Sequence, residues 1–291
     1  MAGGEALISN VSDTARWVAA YRAVETARAD ALFRDPLADQ LAGERGRAMV
    51  AAAPRVMRGG WPVVTRTVLI DDLIATSIRE GCDRVLNLAA GLDTRPYRLD
   101  LPADFVWVEA DLPALTTEKD AALADEKPRC TLIRRGVDLA SPSATAKFLD
   151  AALGPLGPEN SHATKALVIT EGLLMYLEEE TVRSIAGALA RPEINWWVMD
   201  VTVAMKRMRA GSMFENAPLE FEPTHGIAYF EELGWRPLEV EHLLVQARKL
   251  DRAPWYLRPF TYLRQPNPRK PGRGPWSGVV RFRRVPDRPT G

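Results

Sequence analysis

The chain has 291 residues, 46% hydrophobic and 26% charged, and its 38 Lys and Arg balance 38 Asp and Glu to a formal net charge of zero. A chain this long buries a large core without disulfides or a structural metal, and the balance removes the positive excess that a nucleic-acid binder needs. Two cysteines, Cys82 and Cys130, cannot make a disulfide framework, and His162, His225 and His242 are scattered singly without zinc-ligand spacing.

No apolar run reaches the ~18 residues that cross a bilayer. Met1 to Asn10 has no basic region followed by an apolar stretch. A cytoplasmic protein is expected, with neither nucleic acid nor membrane as partner.

Ser12 and Asp13 are good N-cap residues before a helix through Ala15, Val18, Arg22 and Glu25. Asp35-Pro36 interrupts the pattern, and a second short helix runs from Pro36 to about Ala42. Gly59-Gly60-Trp61-Pro62 marks a loop. From Val64 the period is helical again, with Val68, Leu69, Leu73, Ile74 and Ile78 on one face.

After Gly81 short apolar runs begin: Val85 to Ala90, Phe105 to Val108, Cys130 to Ile133, Ala166 to Thr170 and Ile194 to Val201. Helical segments at Leu115–Ala124, Ala144–Leu153 and Glu179–Ala190 separate most of them, and Gly154–Thr164 reads as a surface loop. Such alternation implies βαβ units and a parallel sheet covered on both faces, an α/β fold. Further on, Ile227 to Leu233 looks helical, Gly234-Trp235 opens a strand to Val240, and Val279 to Arg284 alternates like a late edge strand. No repeat or long linker divides the chain, so a single domain over residues 1–291 is expected.

In an open parallel sheet ligands bind beyond the carboxyl ends of the strands. The first strand is followed by Ala89-Ala90-Gly91-Leu92-Asp93-Thr94-Arg95, the second by Glu109-Ala110-Asp111, the third by Asp138-Leu139 and the fourth by Glu171-Gly172. Asp111 lies twenty positions past Gly91, the separation at which an acid meets a ribose diol. Taken singly, a small residue after a strand is a tight turn and an acid is a helix cap. Four such exits in this order point to a nucleoside-bearing cofactor.

A dinucleotide fingerprint is incomplete: the window Ala89-x-Gly91-x-x-Thr94 lacks the third glycine, and Asp93 puts negative charge where a pyrophosphate would approach. No Tyr-x-x-x-Lys, P-loop, His-Glu-x-x-His or Gly-x-Ser-x-Gly occurs. S-adenosylmethionine, a ribonucleoside without phosphate, fits better than a nicotinamide dinucleotide.

The chain resembles the leucine carboxyl methyltransferase family, especially its bacterial branch of S-adenosylmethionine-dependent O-methyltransferases. The resemblance is carried by Phe33-Arg34-Asp35-Pro36, Asn87 to Arg95, Glu109-Ala110-Asp111-Leu112-Pro113 and Thr170 to Leu177. It implies a Rossmann-like class I methyltransferase with a mostly parallel seven-stranded sheet. A helical cap would span residues 1–80, ahead of an α/β core over 81–291 with late acceptor-side insertions. By the same resemblance Arg66 holds the methionine carboxylate, Ala89 and Gly91 form the small turn, and Asp111 binds the ribose. Asp138 and Leu139 flank the adenine, and Glu171 lies near the methionyl amino group. Ala89 stands where many relatives have Gly. The family's N-terminal lysine has no clean counterpart; Arg16 and Arg22 are both candidates.

Trp196 and Trp197 are expected to pack the fifth strand on both faces, and Met199, Met205, Met208 and Met213 to pack adaptably near a pocket. The basic run Arg258 to Arg288 reads as a solvated face and His225 as a lone structural histidine, which leaves Tyr176 as the favoured substrate contact. Three histidines without an evident orienting partner favour an acceptor that needs no base, hence a small-molecule carboxylate narrowly ahead of a hydroxyl, with a protein C-terminus third. The rival readings are a nicotinamide-dependent oxidoreductase and a non-catalytic adenosylmethionine-binding module.

Overall fold

The apolar runs pair into one seven-stranded sheet in the computed structural model, which describes residues 11–159, 161–203, 219–272 and 275–285. In chain order the strands are β1 (Arg84–Leu88), β2 (Val106–Asp111), β3 (Thr131–Gly136), β4 (Ala166–Thr170), β5 (Ile194–Val203), β6 (Trp235–His242) and β7 (Trp276–Arg284). Their spatial order is β3-β2-β1-β4-β5-β7-β6. β1 to β5 are parallel, and β7 runs antiparallel to both its neighbours. The order reverses between β1 and β4, and a ligand crevice opens at such a switch point.

Every residue of β1 and β4 is buried, which is why their sequences read as mostly apolar runs, Arg84 and Asn87 of β1 being buried polar exceptions. On one face Leu86, Val108, Val168 and Trp197 pack with Phe148 and Leu149 of α6 (Pro142–Leu153) and Val182 and Ile185 of α7 (Glu179–Ala188). On the other, Val85, Trp107, Leu167 and Trp196 meet Leu69, Ile70, Leu73 and Ile74 of α3 (Trp61–Arg79). Trp196 and Trp197 thus serve opposite faces, as expected. Met199 is buried in the first of these cores; Met205, Met208 and Met213 lie outside the described residues.

The late strand is not an edge. β7 lies between β5 and β6, and the edges are β3 and β6. The misleading residue is Arg281, whose mid-strand charge suggests a solvated face. Its guanidinium is buried and bonds Glu80 and Glu239 at 2.8 and 2.7 Å.

The cap also differs in detail. α1 (Val11–Thr26) already runs at Val11, so Ser12 and Asp13 lie within its first turn. Asp13 pairs with Arg45 at 2.7 Å. Arg45 belongs to α2 (Ala38–Ala51), in which Gly43, at φ +59° and ψ −169°, is non-helical: the first helical stretch stops at about Ala42, as expected, and a second follows it. α3 starts at Trp61 rather than Val64; Pro62 beside the Gly60 cap suits a first turn, where no amide partner is needed.

Candidate active site

Beyond β1 the chain turns sharply, with Ala89 at φ +55° and Gly91 at φ +50°. The parallel register sets Leu88 beside Ala110, so the turn abuts the end of β2. There the Gly91 amide donates to Asp111 Oδ2 at 2.6 Å, and the Leu112 amide to Asp111 Oδ1 at 2.7 Å. Burial pushes the Asp111 carboxyl above its ordinary value, against the pull of these two amides. A Cβ at Gly91 would stand 3.3 Å from Ala15 of α1, so the cap closes directly over the turn.

α3 crosses the exits of β4 and β5. Arg66 Nε donates to Glu171 Oε1 and Arg66 Nη1 to Asp200 Oδ2, both at 2.8 Å. Asp200 Oδ1 accepts from the Gly172 amide at 2.7 Å. Arg95, in the short helix α4 (Arg95–Arg98), reaches Glu171 Oε2 from the other side at 2.8 Å and also bonds Asp93 and Asp71. Burial alone would raise the Glu171 carboxyl, but Arg95 and Arg66 outweigh it and hold it below the usual carboxylate range.

Asp93 does not face the crevice. It is buried, bonded by Arg95 and by Asn87 Nδ2 at 2.8 Å, and strongly held in its charged form. Its charge is neutralised internally, and the exclusion of a pyrophosphate drawn from it falls away. The other polar residues of that string also turn inward. Thr94 Oγ1 donates to Asp35 at 2.6 Å, and Arg22 spans Asp35 Oδ2 at 2.8 Å and the Leu92 carbonyl at 2.6 Å. Arg22 is therefore committed to joining the cap to the turn. Arg16 pairs with Glu118 of α5 (Pro113–Ala122).

The Val137 amide donates to the Asp111 carbonyl at 2.7 Å, which places the β3 exit next to the β2 exit. There Asp138 Oδ1 accepts from the Ala140 amide at 3.0 Å, while the Leu139 side chain is buried in the core. Tyr176 closes the 3-10 turn Leu174–Tyr176, packs against the cluster of Trp17, Tyr21, Met49 and Val63, and shares a hydrogen bond with Thr14. One edge of the sheet thus gathers Arg66, Ala89, Gly91, Asp111, Asp138, Leu139, Glu171 and Tyr176.

Sequence reasoning missed Asp200 and the central place of Arg95. Asp200 carries the same signal as the other exits, a carboxylate ending an apolar run. Reading that run through to Val201 hid it.

The leucine carboxyl methyltransferase family model matches residues 15–190. A Frankia alni protein named "Putative S-adenosyl-L-methionine-dependent methyltransferase" is 31% identical over 96% of this chain and 98% of its own length. A Mycobacteroides abscessus protein of the same name is 38% identical, over 59% of this chain and 58% of its own. Among solved structures, a DUF574 family protein from Streptomyces avermitilis aligns with a TM-score of 0.54 at 16% identity, covering 92% of this chain and 97% of that one. That likeness establishes the fold. The family match over more than half of the chain, together with the nearly full-length relative, establishes the lineage: the chain belongs to the leucine carboxyl methyltransferase family.

Proposed function

We propose that this chain transfers a methyl group from S-adenosylmethionine to an oxygen of a small molecule, a carboxylate ahead of a hydroxyl. The coarser statement, an S-adenosylmethionine-dependent methyltransferase, follows from family membership. The observation that carries the reading is the Arg66–Glu171 pair at the switch point. A guanidinium and a carboxylate side by side complement the two charged ends of an α-amino acid. Each also keeps a second ion pair, Arg66 with Asp200 and Glu171 with Arg95. Exchanging their mutual contact for the two ends of the cofactor's methionyl part leaves neither charge uncompensated.

The neighbouring groups fit the remainder. Asp111 is fixed by two backbone amides beside a turn that a side chain at Gly91 would crowd, and its carboxylate suits a ribose diol. Asp138 and Leu139 lie one strand further along, where an adenine would reach. When bound, S-adenosylmethionine supplies a methyl group activated on sulfonium. The protein's residues then have to hold the donor, align the acceptor and exclude water.

Tyr176, packed between the cap and the β4 exit, is assigned to the acceptor. Leu174, Met175, Phe221 and Phe230 make the surroundings of Asp200 apolar. A carboxylate is ionised at neutral pH and needs no base, whereas a hydroxyl must lose a proton.

Calorimetry with S-adenosylmethionine, S-adenosylhomocysteine and a nicotinamide dinucleotide tests the cofactor, and binding of the dinucleotide alone would overturn the reading. For the acceptor, a metabolite extract is methylated with labelled cofactor and treated with mild alkali. A methyl ester releases labelled methanol; alkali-stable label as the sole product overturns the carboxylate choice.

A further inference from the structure

From Arg252 to Pro286 the chain has no Asp or Glu, against nine Arg and Lys. Four of the nine, Arg252, Arg258, Arg269 and Arg281, pair with carboxylates from outside the stretch, and the local excess is what remains. The stretch begins where β6 ends. His242 is in register with Gly278, which pairs with Val201, so β6 leaves the sheet at the same edge as β5, the edge of Asp200 and Glu171. After α9 (Leu243–Lys249), Arg252 bonds Glu25 of α1 at 2.8 Å, and the Tyr256 hydroxyl donates to the Arg55 carbonyl at 3.4 Å. The segment is thereby pinned across the cap.

Its outer face is unusual for a protein surface in water. Trp255 is 81% exposed, Tyr262 75%, Leu263 62% and Phe260 54%. Exposed apolar groups gathered in one short segment of this kind mark a docking surface. Among the described residues Arg264 and Lys270 have no carboxylate within ion-pair reach, nor do Arg55 and Arg58 on the adjoining 3-10 turn. The Arg248 guanidinium lies over the Tyr262 ring at 4.7 Å, adding positive charge beside an aromatic.

The partner must accept apolar side chains and carry negative charge. A second copy of this chain meets the second condition poorly, because a two-fold contact would set a face whose cations outnumber its carboxylates against itself. A nucleic acid meets the charge but offers no hydrocarbon to Leu263 and Phe260. We propose that the face built by residues 252–270 is a peripheral docking surface for an anionic lipid bilayer. Trp and Tyr settle at the headgroup level, Leu and Phe reach the acyl boundary, and the unpaired cations meet anionic headgroups. The lack of a helix long and apolar enough to cross a membrane, among the described residues, concerns spanning and leaves this mode open.

The full chain is floated with vesicles of phosphatidylcholine alone and of phosphatidylcholine mixed with phosphatidylglycerol. Partition onto the mixed vesicles should be about tenfold or more above the neutral ones and should fall as salt is added. The triple variant Trp255→Ser, Phe260→Ser, Leu263→Ser and the double variant Arg264→Ala, Lys270→Ala should each lose about tenfold in partition. Both variants lie on the surface, and circular dichroism and S-adenosylmethionine affinity should match the parent. The proposal is overturned by equal binding to both vesicles or by no binding. It is also overturned by a dimer that dissociates in the triple variant, or by a single-stranded oligonucleotide that binds this face in preference to vesicles.

Discussion

Arg66 of α3 and Glu171 at the β4 exit, 105 positions apart in the chain, meet at 2.8 Å with both side chains mostly buried. Because Glu171 keeps Arg95 and Asp200 keeps the Gly172 amide, losing Arg66 strands neither carboxylate completely. Arg66→Ala should therefore fold, at a cost of about 3 kcal/mol, the lower end for a broken buried pair. S-adenosylmethionine affinity should fall about ten- to a hundredfold by calorimetry. Arg66→Lys keeps the charge but loses the fork that spans Glu171 and Asp200, and should bind with intermediate affinity. An Arg66→Ala protein that binds like the parent would remove the methionyl end from this position.

Asp111 gives the cofactor site a pH dependence with a definite sign. Burial raises its folded pKa, so it takes up a proton more readily folded than unfolded. The stability from that proton is full below the unfolded value and is lost as pH rises through the folded one. The proposed ribose contact needs the charged form and runs the opposite way. Affinity should fall on acidification from a pH above the ordinary Asp range, where Glu171, held low by Arg95 and Arg66, is still ionised. Asp111→Asn should weaken binding about tenfold at neutral pH and abolish that acid limb. Identical pH profiles for parent and variant would refute the placement.

Ala89 occupies the left-handed region at φ +55°, where its Cβ is strained. The strain is worth about 1–2 kcal/mol, and glycine gives back about 0.4–1 kcal/mol through the freer unfolded chain. Ala89→Gly should therefore stabilise the protein by up to about 1 kcal/mol in urea unfolding. A loss of about 1 kcal/mol, as at an unstrained position, would contradict the strain.

The parts of this architecture legible in sequence are those set by local periodicity. β1 and β4, covered on both faces, are mostly apolar, and their ends expose Gly91 and Glu171 as residues of a different kind. Asp111 was legible because strand length and turn geometry fix its distance from Gly91. Arg66 was not: on an amphipathic helix it is one more polar residue, and only the family resemblance singled it out. Arg281 misled because the partners that allow its burial, Glu80 just past α3 and Glu239 of β6, are far away in the chain. The break at Gly43 was legible, because a glycine ends a helical pattern locally.

Arg22 is the rivet between cap and turn, its side chain buried against Asp35 and the Leu92 carbonyl. Arg22→Met should cost about 3–5 kcal/mol, since it leaves the Asp35 carboxylate buried with only Thr94 as side-chain partner. Asp35→Asn should cost less alone, and the double variant should be less destabilised than the sum of the two singles, because one pair is removed twice. Chemical unfolding measures all three. Strict additivity would mean that the two residues act independently.

The acceptor's chemistry should be visible in the rate. Burial raises the Tyr176 phenol above its ordinary value, with Arg66 and Thr14 pulling it partly back, so at neutral pH it is a hydrogen-bond donor and not a base. His242 is lowered by burial, and its Nδ1 accepts from Trp276 Nε1 at 2.8 Å, which commits it to packing β6 on β7. His225 is exposed on the turn before Gly226, with no carboxylate bonded to its ring among the described residues. A carboxylate acceptor is already ionised, so kcat/KM for it should stay flat between about pH 6 and pH 9. Tyr176→Phe should raise the acceptor KM severalfold without adding a pH limb, and His225→Ala should change neither constant. A rate climbing about tenfold per pH unit through this range would mean that a proton is lost from the acceptor before transfer, and would assign a hydroxyl in place of the carboxylate.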